Sequence, residues 1–180
     1  MKKAILPLLL ALGLLLGGCA NKNEAEFRAF SSELRERSDL CLTAEVRAEF
    51  DDKSCTFTLR CTEDGEGGCT VEVLEPELIR GVKARMSADG TKLVYEDLAV
   101  DTGGGDAALS PMGALPYLCR ALRDGALGSA WTEKGDLAVS LLPDDGVELT
   151  VLFDADRKPD YAELTHEGRG LLFIRILEFS

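Results

Sequence analysis

The sequence predicts an α+β domain in which an extended antiparallel sheet curves around two helices. Three observations support this prediction. Apolar and polar residues alternate in about nine or ten short segments, as they do in strands with one wet face. Two other segments place their apolar residues at helical spacing. Long helices between successive strands are absent from the pattern, which argues against a parallel doubly wound sheet.

The N-terminus has the pattern of an export signal. Two lysines precede an apolar stretch from Ala4 to Leu16, which has the length of a signal-peptide core. It is short for a membrane span, which takes about 20 apolar residues. We therefore assign residues 1–18 to a signal peptide, 19–24 to a lipidated N-terminus with a polar tether, and 25–180 to a single domain.

The signal ends in Leu16, Gly17, Gly18 and Cys19. Two small residues before a cysteine resemble the lipobox of bacterial lipoproteins, in which the cysteine is lipidated and becomes the first mature residue. The resemblance implies a covalent lipid of at least two acyl chains on Cys19, which anchors a protein stably. We expect the protein on the extracytoplasmic face of the cell membrane. The alternative is an uncleaved anchor, or an ordinary secretory signal with a chance cysteine.

A first helix is predicted over Ala25 to Asp39, because Phe27, Phe30 and Leu34 fall at helical spacing. One apolar stripe on an otherwise charged helix normally packs on a sheet.

Hairpins follow the helix, because the apolar period changes to two. The first strand is predicted over Leu42 to Phe50, and polar turns at Asp51 to Ser54 and Glu63 to Gly68 separate the next ones. Asp89-Gly90 is a hairpin signal between two further strands. The apolar positions of these later strands are Cys55, Phe57, Leu59, Cys61, Cys69, Val71, Val73, Val82, Ala84, Met86, Leu93, Tyr95 and Leu98 to Val100.

A second helix begins after a loop rich in glycine. Ser110 is a capping hydroxyl, Pro111 suits the first helical position, and Gly125 suits the C-terminal cap. Four closing strands are predicted beyond it. Their apolar positions are Leu137, Val139, Leu141, Val147, Leu149, Val151, Phe153, Ala162, Leu164 and the run from Leu171 to Phe179.

The charge excludes several classes of function. The chain has 180 residues, 32 acidic and 20 basic, and a formal charge of -12. Removal of residues 1–18 with their two lysines leaves 32 acids against 18 bases, hence -14. Nucleic-acid binding and a polybasic membrane surface both depend on Lys and Arg, so neither is expected.

The sequence also argues against an enzyme. It contains one histidine, His166, in an alternating strand beside a glycine turn. It has no G-x-S-x-G elbow and no C-x-x-C pair, which excludes the corresponding hydrolase, zinc-ribbon and thioredoxin interpretations. We expect no catalytic residue, no metal and no cofactor other than the covalent lipid.

The layout resembles the lipoprotein-carrier (LolA-like) family, most of all its lipid-anchored members in Gram-positive spore formers. The segments that carry the resemblance are LEPELIRGVKARM, DGTKLVYEDLAV, SPMGALPYL and the terminal IRILEF, in this order after the lipobox and first helix. The resemblance implies an unclosed β-barrel with helices covering its concave face. It also implies an apolar cavity, which in carriers holds acyl chains. Some anchored members are instead partners in spore germination. Carriers are soluble shuttles, so an anchor on Cys19 argues against shuttling.

Two sets of apolar residues are the candidates for such a cavity. The candidate wall is Val46, Phe57, Leu59, Val71, Val73, Met86, Leu93, Val139, Val151 and Phe153. The candidate lid is Phe27, Phe30, Leu34, Met112, Leu115 and Leu118. The alternative is that the same residues fill an ordinary core. The leading hypothesis is a membrane-anchored, non-enzymatic lipoprotein that binds a lipid or acyl chain in an apolar cavity under the helices. The alternative, which the germination members of the family motivate, is a protein-binding scaffold or regulator of a cell-envelope or germination enzyme.

Five cysteines lie beyond the lipobox, and export permits disulfides. If the turn centres near Gly65, Cys61 and Cys69 lie opposite each other, which makes them the candidate disulfide. The alternative is that these cysteines are small buried apolar residues. Pairing of Cys41 with Cys119 stays open.

Overall fold

A computed structural model describes residues 22–50, 53–96, 98–103 and 109–180 of the chain. The signal sequence, the lipobox and Cys19 lie outside the described residues, so the predictions made for them are not tested. Among the helices described, none is long and apolar enough to cross a membrane.

The described chain contains two helices, a short 3₁₀ turn at Glu77–Ile79 and eleven strands. The helices are α1 (Lys22–Glu36) and α2 (Pro111–Asp124). The strands of the first half are β1 (Cys41–Phe50), β2 (Lys53–Glu63), β3 (Cys69–Glu75), β4 (Lys83–Ser87), β5 (Gly90–Tyr95) and β6 (Leu98–Gly103). Those of the second half are β7 (Ala126–Glu133), β8 (Asp136–Asp144), β9 (Val147–Phe153), β10 (Pro159–His166) and β11 (Arg169–Phe179).

All eleven strands form one antiparallel sheet in the order β6-β5-β4-β3-β2-β1-β11-β10-β9-β8-β7. Each half of the chain is a run of consecutive hairpins, and pairing of β1 with β11 joins the halves, with Val46 opposite Ile174. β6 and β7 stand at opposite ends of the sheet and do not pair with each other. The sheet is therefore open. The predicted α+β fold, one open antiparallel sheet with an N-terminal and an inserted helix, is confirmed.

Two details of the predicted elements differ from the structure. The first helix lies three residues earlier than predicted, so residues 22–24, which were expected to be tether, are helical. The sheet also contains an additional strand, β7. Its sequence ALGSAWTE lacks period-two alternation, and its pairing with β8 is interrupted between Leu127 and Ser129. The hydrophobic pattern therefore carries no signal for β7.

The termini of α2 agree with the prediction. Ser110 is the N-cap and its hydroxyl accepts a hydrogen bond from Gly113 N at 3.2 Å, while Pro111 begins the helix. At the C-terminal cap, Gly125 lies so close to Ala121 O that a Cβ atom would stand 2.5 Å from it. Only glycine fits there without a backbone shift, which is why α2 ends at this point.

The core lies between the helices and the concave face of the sheet. α2 packs over β1, β2, β3, β8 and β11, and α1 packs against α2, β7 and β8. The buried residues of α1 are Phe27, Ser31 and Leu34. Those of α2 are Gly113, Ala114, Leu115, Tyr117, Leu118, Cys119, Ala121 and Leu122. The apolar faces of both helices are thus covered by the central strands of the sheet and by β7, β8 and β9.

The Arg123 guanidinium joins both helices to β2. It donates hydrogen bonds to the two carboxylate oxygens of Glu63 at 2.5 and 2.6 Å, and to the backbone oxygens of Leu34 and Arg37. Only 17% and 16% of the Arg123 and Glu63 side chains are exposed. The Glu63 carboxylate raises the pKa of Arg123 above its ordinary value. Ser31 Oγ donates in return to Arg123 O at 2.7 Å.

We expect Glu63→Gln to lower the free energy of unfolding by about 2 kcal/mol, since hydrogen bonds to charged groups contribute about 1.5–3 kcal/mol. Glu45→Gln is the matched control. Glu45 forms an ion pair with Arg175, and the Arg175 and Glu45 side chains are 61% and 40% exposed. Exposed pairs of this kind contribute about 0–1 kcal/mol to stability. Urea denaturation followed by the fluorescence of Trp131 measures both. Equal losses of unfolding free energy in the two variants would show that the Arg123–Glu63 pair contributes no more than an exposed ion pair.

Candidate functional site

The candidate wall and lid residues pack against one another in one contiguous core. Eleven of the sixteen are buried. The other five are half-buried and pack against the same core: Phe57, Met86, Leu93, Phe30 and Met112. The structure therefore brings all the predicted cavity residues together. Their arrangement matches the second of the two interpretations left open by the sequence, an ordinary core.

Four phenylalanines pack together at one end of this core and join α1 to β9 and β11. The rings of Phe30 and Phe153 meet edge to face with centroids 5.1 Å apart. Phe27 lies 6.3 Å from Phe153, and Phe179 lies 6.2 Å from Phe30. Aromatic pairs at these spacings stabilise a core beyond their buried area.

Phe179 belongs to this cluster although the sequence analysis did not single it out. The alternation of β11 buries Leu172, Ile174 and Ile176, so an undisturbed strand would place Phe179 on the opposite face. A β-bulge in β11 itself shifts the register, because Ile176 pairs with Ala44 and Glu178 pairs with Thr43, which leaves Leu177 as the extra residue. Phe179 consequently stands opposite the buried Leu42 and returns to the concave side.

A groove of about 560 Å³ lies between α1, the β9–β10 turn and the end of β11, and we call it the seam groove. Phe30, Leu34 and Phe179 supply its apolar lining. Its rim is polar, and Arg157 Nε contacts Glu26 Oε1 across it at 2.6 Å. One carboxylate oxygen of Glu26, Oε2, is buried without a hydrogen-bond partner among the described residues. The remaining lining residues are Ala29, Glu33, Arg37, Asp156, Lys158 and Ser180.

The apolar concave face continues beyond the helices onto β5 and β6. Residues directly opposite each other in adjacent strands share a face, so the pairs Ala84–Leu93, Leu93–Val100 and Tyr95–Leu98 place all these side chains on the concave side. Ala84 is fully buried, whereas Tyr95, Leu98 and Val100 are 43%, 71% and 59% exposed. We call Tyr95, Leu98 and Val100 the open face. The apolar alternation predicts these strands but not which of their side chains are exposed, because coverage by a helix is a tertiary property.

The five cysteines of the described residues are free thiols, and the predicted register of two of them is wrong. Cys61 stands opposite Val71, and Cys69 stands opposite Glu63. The turn is two residues longer than assumed and centres on residue 66. The Asp64 carboxylate closes it by accepting hydrogen bonds from the backbone N–H groups of residues 66 and 68. Cys61 and Cys69 are thus diagonal neighbours on the concave face, and their disulfide stays a prediction.

Cys119 of α2 reaches the same place on the sheet. Its thiol is the largest influence that raises the pKa of Cys61, with burial adding to it. Hydrogen bonding to Cys61 and then burial raise the pKa of Cys69. These thiols therefore stay protonated at neutral pH, and inertness of this kind is typical of structural cysteines. Among the described residues, no group of His, Cys, Asp and Glu has the arrangement to hold a metal ion.

Comparison with known proteins bears on the fold alone. No protein-family model matches the chain, and no curated protein does. A solved structure of an uncharacterized conserved protein from Thermus thermophilus has a TM-score of 0.51 and 14% identity, covering 88% of this chain and 87% of that one. One chain of the solved structure of the CwlD amidase from Clostridioides difficile in complex with the GerS lipoprotein has a TM-score of 0.48 and 16% identity, covering 92% of this chain and 99% of that one. A putative outer membrane lipoprotein-sorting protein domain from Vibrio parahaemolyticus scores 0.47 at 13% identity, covering 86% and 90%.

We expect Phe153→Ala to lower the free energy of unfolding by about 3–5 kcal/mol without any ligand, as large-to-small changes in a packed core do. The side chain is 2% exposed and contacts two rings of α1. Tyr95→Ala on the open face is the control, with an expected change within about 0.5 kcal/mol. Chemical denaturation compares the two. A loss for Phe153→Ala as small as that of the control would contradict the packed core.

Proposed function

We propose that the protein is a lipid-anchored, non-enzymatic binding protein on the extracytoplasmic face of the cell membrane, and that it acts by docking a protein partner. The observation that carries the proposal is the open face, an exposed apolar continuation of the core on the last two strands of the sheet. Exposed apolar surface of this kind, rimmed by polar residues, marks interaction sites.

Docking is favoured over lipid carriage because the interior is already occupied. A carrier needs free apolar volume between its helices and sheet. In this protein Leu115, Leu118 and Val139 are each 0% exposed and belong to the same contiguous core. The apolar side chains that would have to line a ligand instead contact one another.

The position of β6 indicates the kind of partner. β6 ends the sheet, so its outer edge has no neighbouring strand among the described residues, and such an edge accepts an added strand from another protein. Alternate side chains of an added strand would reach the concave side, where Leu98 and Val100 lie. The sequence from Glu96 to Asp106 contains four acids and no base. The partner segment that fits is extended, with apolar residues at alternate positions and basic residues between them.

The charge of the domain is consistent with this orientation. A net charge of -14 on the chain beyond residue 18 repels a membrane surface that carries anionic lipids. A lipid on Cys19 would hold the domain near the membrane, while its charge would keep the sheet directed toward partners in the envelope.

A second candidate function is binding of an acyl chain in the seam groove. The groove has a volume of about 560 Å³, which is within the range of small-molecule sites. Phe30 and Phe179 supply an apolar floor, and Arg157 and Lys158 stand at the rim, where an anionic headgroup would lie. Mass spectrometry of lipids extracted from protein purified from membranes tests this candidate. A bound lipid lost in Phe179→Ser and retained in Leu98→Lys would favour it over docking.

The docking proposal predicts that Leu98→Lys and Val100→Lys abolish capture of the partner. Charges placed on the open face would meet the apolar side chains of the added strand, whereas folding is unaffected because both positions are exposed. Leu142→Lys is the matched control, since Leu142 is 50% exposed on β8, near the other end of the sheet.

Crosslinking of the full-length variants in membranes, followed by identification of adducts, measures capture. The proposal requires an adduct that the control retains, that both open-face variants lose, and that forms less at high salt. Adducts unaffected by either open-face substitution would overturn it.

The anchor proposal predicts that Cys19→Ala moves the protein from the membrane fraction to the soluble fraction. Without the cysteine no acyl chains attach, so a signal-cleaved product lacks the proposed anchor. Intact-mass measurement of the wild-type protein is expected to show the added acyl mass. Unchanged membrane partitioning of a signal-cleaved Cys19→Ala product would contradict the lipid assignment. A version beginning at Lys22, the first residue of α1, serves as the soluble reference.

A further inference from the structure

A pocket of about 440 Å³ lies where the C-terminal ends of both helices meet the β2–β3 turn. Four of the twelve arginines of the chain line it, and we call it the arginine pocket. These are Arg35, Arg37, Arg120 and Arg123. Two carboxylates, those of Glu63 and Asp124, also line the pocket. The lining therefore carries more positive than negative charge, in a chain whose formal charge is -12.

The β2–β3 turn keeps the pocket open because its lining residues there are small. Gly65 and Gly67 adopt φ values of 75° and 88°, which side-chain-bearing residues rarely adopt. At Gly68 a Cβ atom would collide with the Asp64 carboxylate. The turn consequently presents backbone, and no large side chain, to the arginines of the two helices.

Arg123 has a structural role in the pocket wall, and its guanidinium is not available to a ligand. Its guanidinium is already bonded to both oxygens of Glu63 and to the backbone oxygens of Leu34 and Arg37. The C-terminal end of a helix carries partial negative charge. The bonds from Arg123 to the Leu34 and Arg37 oxygens offset that charge at the end of α1, so the pocket is not repulsive to an anion on this side.

The other three guanidiniums are available. Arg35 contacts Asp124 at 3.1 Å, but the two side chains are 54% and 67% exposed. Arg120 contacts Asp144 at 3.2 Å and is similarly exposed. Exposed pairs of this kind contribute little and exchange readily. Arg37 is half-buried and forms no ion pair with any residue in the described part of the chain.

We propose that the arginine pocket binds a phosphate group carried by a ligand. The planar donor fork of arginine matches phosphate oxygens, and clusters of arginines are a recurring mode of phosphate recognition. One arginine is enough to pair with a carboxylate, whereas three available guanidiniums suit the greater charge and the additional oxygens of a phosphate. Arg37 is the principal contact and Arg35 and Arg120 assist it. The phosphate of a lipid headgroup and a free phosphate compound share this chemistry.

The test uses the full-length protein in neutral detergent, titrated with inorganic phosphate by calorimetry. We expect Arg37→Gln to weaken binding at least about tenfold, equivalent to about 1.4 kcal/mol. Arg28→Gln is the matched control, because Arg28 is an exposed arginine of α1 outside the pocket. Its affinity should equal that of the wild type. Binding should weaken as the salt concentration rises.

Further titrations distinguish the sources of the phosphate. Short-chain phosphatidylglycerol below its micelle concentration should bind more tightly than inorganic phosphate if a lipid headgroup is the natural ligand, and no more tightly if a free phosphate compound is. Arg37 lines the seam groove as well as the arginine pocket, whereas Arg120 lines only the arginine pocket of the two. Both results support the phosphate site when Arg120→Gln also weakens binding, and binding unchanged in Arg120→Gln would assign the phosphate to the seam groove and overturn the proposal. Equal affinity for acetate and phosphate, equal weakening in Arg28→Gln and Arg37→Gln, or no phosphate binding by the wild type would each overturn the proposal. Because this pocket is separate from the open face, any of these outcomes leaves the docking proposal standing.

Discussion

The structure depends on one partly buried ion pair, between Arg123 and Glu63. Arg123 is near the end of α2 and Glu63 is at the end of β2, while the same guanidinium bonds the backbone at Leu34 and Arg37, where α1 ends. A single side chain thus sets the position of both helices relative to the sheet. Desolvation makes such a pair costly unless its hydrogen bonds are satisfied. Here both oxygens of Glu63 accept from Arg123, and Arg123 also donates to two backbone oxygens.

That helix position has consequences for function. With α2 over the central strands and α1 against β7 and β8, the interior of the half-barrel is filled at its centre and closed by Phe30, Phe153 and Phe179 at one end. The concave surface of β5 and β6 receives little cover at the other end. The same arrangement therefore disfavours a lipid cavity in the centre and leaves apolar surface for a partner at the end of the sheet. Between the helix ends it also creates a pocket with an excess of arginines.

Most of the fold is predictable from local patterns, and the exceptions have local causes. Alternation identifies ten of the eleven strands, and the capping residues Ser110 and Gly125 identify the bounds of α2. β7 has no alternation to detect. The register of Cys61 depends on a turn outside its own strand, which Asp64 closes. The side on which Phe179 lies depends on a bulge within β11 itself, which the apolar alternation does not reveal. One residue of slippage exchanges the faces of a strand, so these small features decide which side chains meet.

The sequence by itself predicts an export signal with a lipobox pattern, which stays a prediction. It also determined the acidic charge, the order of most elements and the sixteen apolar residues that lie in or against the core. These properties follow from amino-acid composition, residue spacing and hydrophobic periodicity, all of which can be read within single segments of the chain. Only the tertiary structure decided whether that interior is a cavity or a core, which apolar strand face remains exposed and which arginines gather in one pocket. Each of these depends on where two helices, far apart in sequence, are placed on the sheet. That placement results from long-range contacts such as Arg123 with Glu63, which no local pattern encodes.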